Sequence, residues 1–555
     1  MRVVSILTLL FIGGASAAFA QNIGQVDPLI EDQRQQALEQ RTNELGAFTA
    51  RESIPDPGPA QERGGPCFDV RDLRIEGVTL LPPAELAAII APYVPSCMEG
   101  ADIQAVMRGI DAAYAERGYI TTKTYIPAQN LTSGSLILSV VEGQVEELIL
   151  LDDAGQVETA RGRRQLATAF PGVKNRPFQL RDFEQGLDQM NRLASVEAVL
   201  RLQPGDHEGG SHVIVQRVQS DRFRGYLRAD TLGAKSTGER RLSLDTEWDD
   251  FFGANDTWSL GYTGSLNTNA LTLRGSVPYG YFTFGVDLGY SEYLTPLNEM
   301  AELFGNSHSA RVDLRYMAAR DQFSTTELNA ALNIYRADRW INDARLTPQA
   351  LTVLDIGVRR MRLDERARHS WDATLSVGLP LFGADHNISD DEGITPKAQF
   401  VKLAFGWQRQ GALGNIGTMV NDMRGQFAPH ALYSSQQMAL GSWSTVRGYS
   451  ESKAVGDSGL YLRNDLYLAS DIWAGWLPGS WQESAAQRLQ PHLFLDLGVT
   501  RDRARHQTET AAGAGFGMSW YGDRMTASAL FGVPLISGNE SQDPVLQIRV
   551  DRKLW

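Results

Sequence analysis

Few residues in this chain combine the types and spacing that chemistry requires. Gly456-Asp457-Ser458-Gly459 is the pattern that surrounds the nucleophile in serine peptidases. That chemistry needs a further glycine and a general base on an upstream histidine. Leu460 follows instead, and none of the eight histidines sits in such a segment. His207 and His212 lie on an expected turn and strand without a Cys/His cluster around them, and read as surface residues rather than metal ligands. No GxxxxGK loop and no HExxH occurs. No catalytic residue, metal or cofactor is therefore expected, and the chain is not expected to be an enzyme. Cys67 and Cys97 are the two cysteines, and both fall in one small expected domain. In an oxidising compartment they are expected to form one disulfide, the alternative being two buried thiols. The remaining constellation is electrostatic. In Pro491–Thr500, Leu493, Leu495, Leu497 and Val499 share one face, and His492, Phe494, Asp496 and Gly498 the other. A greasy face backed by a polar one suits a barrel wall between lipid and a wet lumen. A lone carboxylate on that inner wall seeks a cation. Arg447, in the polar, glycine-rich stretch before it, is the candidate, because an Arg–carboxylate pair can be bidentate and so fixes geometry as well as charge.

For Asp496 to face a lumen, the surrounding chain must close into a barrel. Hydrophobic residues make up 43% of the 555. No segment after the N-terminus approaches the roughly 18 apolar residues of a membrane helix. A barrel needs only every second residue apolar. Residues 220–555 supply that texture. Leu242, Leu244, Thr246 and Trp248 alternate with Arg241, Ser243, Asp245 and Glu247. Phe282–Ser291, Trp371–Val377, Ala512–Trp520 and Met525–Phe531 repeat the scheme. With strands of about 9–11 residues this region holds roughly 16 of them. Trp555 is out of phase with Leu546, Ile548 and Val550, so a bulge near the end is expected if the terminal ring faces lipid.

Upstream, the texture differs. Residues 1–20 read as an export signal: Met1-Arg2, the short apolar run Val3–Ile12, then Ala18-Phe19-Ala20 before Gln21. Residues 21–46 carry a helix of Glu, Gln, Arg, Ala and Leu with sparse apolar positions, Leu29, Ile30, Ala37, Leu38 and Leu45. Residues 47–66, with Pro55, Pro57, Pro59 and Pro66, form an extended linker. Residues 67–143 and 144–219 each run strand, two helices, two strands, a structural duplication with little sequence identity. In the first, helices are expected over Ala84–Tyr93 and Asp102–Arg117, and strands over Tyr119–Ile126 and Ser135–Val141. The fold class is thus mixed: a transmembrane antiparallel β-barrel preceded by two small α/β domains and an N-terminal helix. The net charge of -14 argues against a nucleic-acid partner.

Three motifs in order carry a resemblance: Val446-Arg447-Gly448-Tyr449, then Gly456-Asp457-Ser458-Gly459, then Phe494-x-Asp496-x-Gly498. Together they resemble the outer-membrane transporters of two-partner secretion, members of the Omp85 superfamily. The stretch Glu116–Gly143 is similar to that family's first polypeptide-transport-associated (POTRA) domain, and Leu180–Gly205 to the second. The resemblance implies that loop 444–459 folds back into the barrel and that Arg447 at its tip meets Asp496. It implies that the helix of residues 21–46 is a removable lumen plug. It implies a pore in the Gram-negative outer membrane, with periplasmic POTRA domains that recognise the N-terminal secretion domain of one large exoprotein, a β-helical adhesin, haemolysin or related protein. The expected setting is outer-membrane lipid, insertion by the outer-membrane assembly machinery, and a monomer. The alternative within the superfamily is a factor that inserts other barrels. It usually has more POTRA domains and lacks plug and linker, so Pro28–Pro66 favours secretion.

Overall fold

The computed structural model describes residues 27–49, 67–94, 96–152, 155–156, 159–388, 394–536 and 543–555. The expected export signal, residues 1–20, lies outside them, as does most of the linker, residues 50–66. Helix α1 spans Pro28–Ala47. The Asp27 side chain accepts the Leu29 N–H at its start, and proline occupies the first turn, where no N–H is needed.

The first α/β domain holds β1 (Phe68–Val70), β2 (Asp72–Glu76), α2 (Pro83–Ile90), β3 (Ser96–Met98), α3 (Gly100–Glu116), β4 (Lys123–Tyr125) and β5 (Ser135–Val141). Its sheet has the order β2-β5-β4, with β2 parallel to β5, while β1 pairs β3 separately. Ile103, Val106, Ile110 and Tyr114 on one face of α3 bury against Leu136 and Leu138 of β5. The strand expected over Tyr119–Ile126 is cut to β4. The Tyr119 N–H instead closes the end of α3 on the Tyr114 carbonyl, and the two rings meet edge to face. Cys67 and Cys97 are joined in a disulfide that flanks the β1–β3 pair, with Cα atoms 5.4 Å apart.

The second domain holds β6 (Gln144–Asp152), β7 (Gly155–Gln156), α4 (Ala160–Ala169), α5 (Leu180–Asn191), β8 (Val196–Pro204) and β9 (Gly210–Gln219). Its sheet order is β7-β6-β9-β8, which leaves β8 as an edge. Phe178 stacks on Phe183 with ring centroids 4.6 Å apart in its core. The domain docks on the turns at the end of the barrel where β10 begins, through polar contacts. Arg161 pairs with Asp250 at 3.0 Å, Arg320 with Asp188 at 2.6 Å, and the Ser195 N–H donates to Asp249.

The barrel strands run in sequence order. They are β10 (Phe223–Asp230), β11 (Arg241–Asp249), β12 (Thr257–Gly264), β13 (Thr268–Tyr279), β14 (Phe282–Asn298) and β15 (Ala301–Arg320). Then come β16 (Ser324–Ile341), the short β17 (Ala344–Arg345), β18 (Gln349–Leu363), β19 (Ala367–Gly378), β20 (Val401–Leu413) and β21 (Gly417–Phe427). After the ribbon β22 (Met438–Leu440) and β23 (Ala454–Gly456), the wall resumes with β24 (Ser458–Leu468). Two short helices, α6 (Ser470–Trp473) and α7 (Gly479–Arg488), precede β25 (Leu489–Asp502), β26 (Gln507–Tyr521), β27 (Met525–Pro534) and β28 (Val545–Lys553). Sixteen antiparallel strands close the cylinder through β10–β28 pairing; β17 merely extends the tip of β16. β14, β15 and β16 have 17, 20 and 18 residues. A membrane crossing needs only about 9–11, so the far ends of these three strands continue beyond the bilayer.

Leu493, Leu495 and Leu497 are 48%, 45% and 46% exposed, while Asp496 is fully buried. The wall is therefore greasy outside and polar inside. β28 has no bulge in its register with β10 or β27. Trp555 lies past the strand end, where the Leu554 N–H still donates to the Gly225 carbonyl and the ring stacks on Phe223 at 5.4 Å. The terminal ring changes faces by leaving the ladder, which corrects the expected bulge.

Candidate functional site

The loop between β21 and β24 turns inward and packs on the inner wall of β24–β26. Its ribbon β22–β23 and tip bury Leu440, Val446, Tyr449 and Ala454 against Tyr461 and Ala511. At the tip, Arg447 is 3% exposed. Its Nε donates to Asp496 Oδ2 at 2.6 Å and one terminal nitrogen to Oδ1 at 2.8 Å, a bidentate pair. The other terminal nitrogen reaches Asp465 Oδ1 on β24 at 2.6 Å. The backbone N–H of Arg447 adds a third contact to Asp496, at 3.1 Å. The guanidinium lies 4.2 Å from the centroid of the Phe494 ring, a cation–π contact.

The sheet accommodates this. Pairing between β24 and β25 is interrupted at Arg463 and Asn464, and the Asn464 N–H turns to Asp496 Oδ1 at 3.3 Å. Gly448 has a φ of +99°, and a Cβ there would also press on the Val533 carbonyl, so the turn after Arg447 requires glycine. The Arg447 carbonyl lies where a Cβ of Gly513 would be. Gly498 faces Leu440 and Val446. The Tyr449 hydroxyl donates toward the carbonyls of Ala512 and Ile536, each at 2.8 Å, and pins the tip to β26.

Asp457 is buried, and its carboxylate accepts the N–H groups of Leu432 and Arg503 and the Gln437 amide. The Ser458 hydroxyl bonds both backbone groups of Ala428. Gly456–Gly459 is thus the stem that fastens the loop where it rejoins the wall. His207 and His212 meet each other's neighbours around Glu146, with His207 Nδ1 2.8 Å from its carboxylate.

Helix α1 occupies the lumen, since its side chains touch the wall on opposite sides. Glu39 pairs with Arg549 and Arg228 at the barrel seam, and Glu44 with Arg359 on β18. Thr42 accepts from Gln408 at 3.0 Å, and Asp27 accepts from Ser291 and Tyr335. Polar Asp32 and Gln35 are buried here, as a wet lumen permits. The helix also touches the loop: Ser444 donates to Glu31 at 2.8 Å and Arg34 to the Gln437 carbonyl at 2.8 Å. Beside α1 a lumen cavity of about 1060 Å³ extends to Arg192 of the second domain.

Two features escaped the sequence. Asp465 is the second carboxylate on Arg447; reading the alternation of β24 onward from Leu460 places Tyr461, Arg463 and Asp465 together on the inner face. The wall arginines that hold α1 are scattered over the chain, and no local pattern marks them.

A closed barrel with an inward arginine loop, a lumen helix and two periplasmic α/β domains defines a polypeptide-transporting outer-membrane barrel. The family model for the haemolysin secretion/activation protein ShlB/FhaC/HecB matches residues 209–520, and ShlB-type and general POTRA models match residues 68–143 and 145–204. The chain belongs to this haemolysin secretion/activation family, the outer-membrane transporters of two-partner secretion. It resides in the Gram-negative outer membrane with its POTRA domains in the periplasm, and serves the secretion of exoproteins. It is similar to the outer membrane transporter CdiB of Dickeya dadantii, 28% identical over 479 residues, covering 84% of this chain and 83% of that protein. The hemolysin transporter protein ShlB of Serratia marcescens is 28% identical over 502 residues, covering 88% and 84%. The solved structure of CdiB from Escherichia coli superposes with a TM-score of 0.82 at 25% identity, covering 95% of this chain and 98% of that one. CdiB from Acinetobacter baumannii, at 18% identity, shares the fold with a TM-score of 0.76 over 96% of this chain and 99% of its own.

Proposed function

We propose that the transporter works by exchanging its own lumen helix for an extended client, while Arg447 holds the loop against the wall. The observation that carries this reading is the way α1 is held. Beside three buried leucines, Leu29, Leu38 and Leu45, its contacts to the wall are ion pairs and hydrogen bonds, and residues 48–66 join it in sequence to the first POTRA domain. Water and charged groups lining the lumen can replace such contacts one by one, so release needs no nucleotide. The client's N-terminal secretion domain adds as a strand to a POTRA sheet edge, for which β8 offers nine residues with Val199 and Leu202 exposed. Main-chain pairing of that kind is largely independent of guest sequence. Folding of the client outside, as a β-helix, then prevents return. The client is a haemolysin, adhesin or similar exoprotein, and the transporter acts as a monomer inserted by the outer-membrane assembly machinery. The roles of Arg447, Asp496 and the Cys67–Cys97 bond belong to the same reading. The disulfide stiffens the first POTRA domain, which links the lumen helix to the domain that carries β8.

Locking the helix tests the exchange. A bis-maleimide cross-link with a cleavable disulfide spacer between Glu44→Cys and Arg359→Cys, positions whose native side chains pair, should abolish secretion of the co-expressed client, and cleaving the spacer should restore it. Undiminished secretion with the lock closed would show that the helix stays in place.

A further inference from the structure

The connection from β24 to β25 is the periplasmic turn that links the two strands bearing Asp465 and Asp496. It holds α6, a 3₁₀ turn at Ala474–Trp476, and α7. Three of the chain's 11 tryptophans lie in it: Trp473, Trp476 and Trp481. Trp473 is buried at 8% exposure. Trp476 and Trp481 are 84% and 66% exposed, and Ile472 beside them 37%. Large apolar side chains left this open mark an interaction surface.

Its position says what covers it. The segment leaves the barrel at Leu489, which is opposite Trp520 in the β25–β26 register. Around the same periplasmic end run Phe223, Trp248 and Trp555, stacked ring on ring at 5.0 and 5.4 Å. Belts of tryptophan and tyrosine sit where the hydrocarbon meets the headgroups. The greasy outer face of the wall, with Leu493 and Leu495 exposed, begins four residues beyond Leu489, where the segment joins β25. An indole is suited to that zone, because its ring is apolar and its N–H remains near water. Within the segment the Gln482 side chain donates to the Leu477 carbonyl at 3.0 Å, and at its ends the Ala469 N–H donates to the Ile416 carbonyl at 2.8 Å and the Gln490 amide to the Leu468 carbonyl at 3.1 Å.

We propose that Ser470–Arg488 is a membrane-interface anchor that inserts Trp476 and Trp481 into the periplasmic leaflet of the outer membrane. It fixes the depth of β24 and β25, and so of the two carboxylates that clamp Arg447. The occupant of this surface is lipid, and a protein partner is the alternative the test distinguishes.

The full chain is reconstituted in vesicles of phosphatidylethanolamine and phosphatidylglycerol, with the native disulfide intact. A nitroxide is placed in turn on Trp476→Cys, Trp481→Cys and, as an aqueous control, Glu365→Cys in the β18–β19 turn. Labels at 476 and 481 should collide at least several-fold more with oxygen than with a water-soluble nickel chelate, relative to the control. Both labels behaving like position 365 would overturn the proposal. A second measurement keeps the aromatic character of the segment. Brominated phosphatidylcholine should quench wild-type tryptophan fluorescence more than that of the Trp476→Phe/Trp481→Phe variant. If the two lost tryptophans account only for unquenched emission, the surface faces water and the anchor is refuted.

Discussion

Arg447 lies between two carboxylates, and this decides how its substitutions behave. Removing it leaves Asp465 and Asp496 buried without their counter-ion, a loss of about 3–5 kcal/mol. The swap Arg447→Asp/Asp496→Arg would therefore place an aspartate against Asp465, and secretion should remain as low as in either single variant. Adding Asp465→Asn to the swap should recover part of it. Recovery by the swap alone, measured as client delivered to the cell surface, would show that Asp465 is not part of the clamp. Elsewhere a carboxylate has a purely structural task. Burial pushes the Glu142 carboxyl up, but the Thr79 hydroxyl, Tyr114 hydroxyl and the N–H groups of Thr79 and Leu80 outweigh it and lower it. A lowered carboxyl stabilises above its unfolded-state range and loses that stabilisation as pH falls through its folded value. Glu142→Gln should cost about 1 kcal/mol at pH 7, since the group is partly open to water, and progressively less as the pH falls below the ordinary carboxylate range. Urea unfolding of the full chain, with protease sensitivity of the first POTRA domain as the readout, checks it.

The plug helix and the first POTRA domain make separate predictions. Glu39→Arg and Glu44→Arg each replace an ion pair with a like-charge contact, at about 1–2 kcal/mol apiece given their partial exposure. The double variant should show several-fold more open channels in planar bilayers. Conductance equal to wild type would mean that the helix is held by other contacts. Opening the Cys67–Cys97 bond, which spans a separation of 30 residues, should cost the first POTRA domain about 3 kcal/mol. Dithiothreitol should then shift its unfolding midpoint and leave the barrel's unchanged. Period-two alternation made the strands legible because burial on one face and lipid on the other is written into each segment. The helix was legible as polar, but its arginine partners were not, since Arg228, Arg359 and Arg549 come together only when the cylinder closes. The broken pairing at Asn464 was hidden for the same reason: it follows from the insertion of Asp496's partners, not from local propensity. Trp555 misled because a ring beyond the last hydrogen bond no longer obeys the strand's phase.

At the scale of the molecule, the second POTRA domain meets the barrel turns, while the lumen helix meets the wall and the inward loop. The POTRA domains lie in the periplasm, α1 lies in the lumen beside a cavity of about 1060 Å³, and the loop tip is clamped to the wall. The links between them are polar: Arg161–Asp250 and Arg320–Asp188 at the domain–barrel joint, and Ser444–Glu31 between loop and plug. Such joints can be remade in water, whereas the greasy exterior keeps the cylinder itself fixed in the bilayer. The most direct measurement is delivery of the co-expressed client by Arg447→Ala, scored together with the heat-modifiable mobility that reports a folded, inserted barrel. The clamp predicts at least a tenfold fall in surface client with the barrel intact. Full delivery by a folded Arg447→Ala barrel would contradict it.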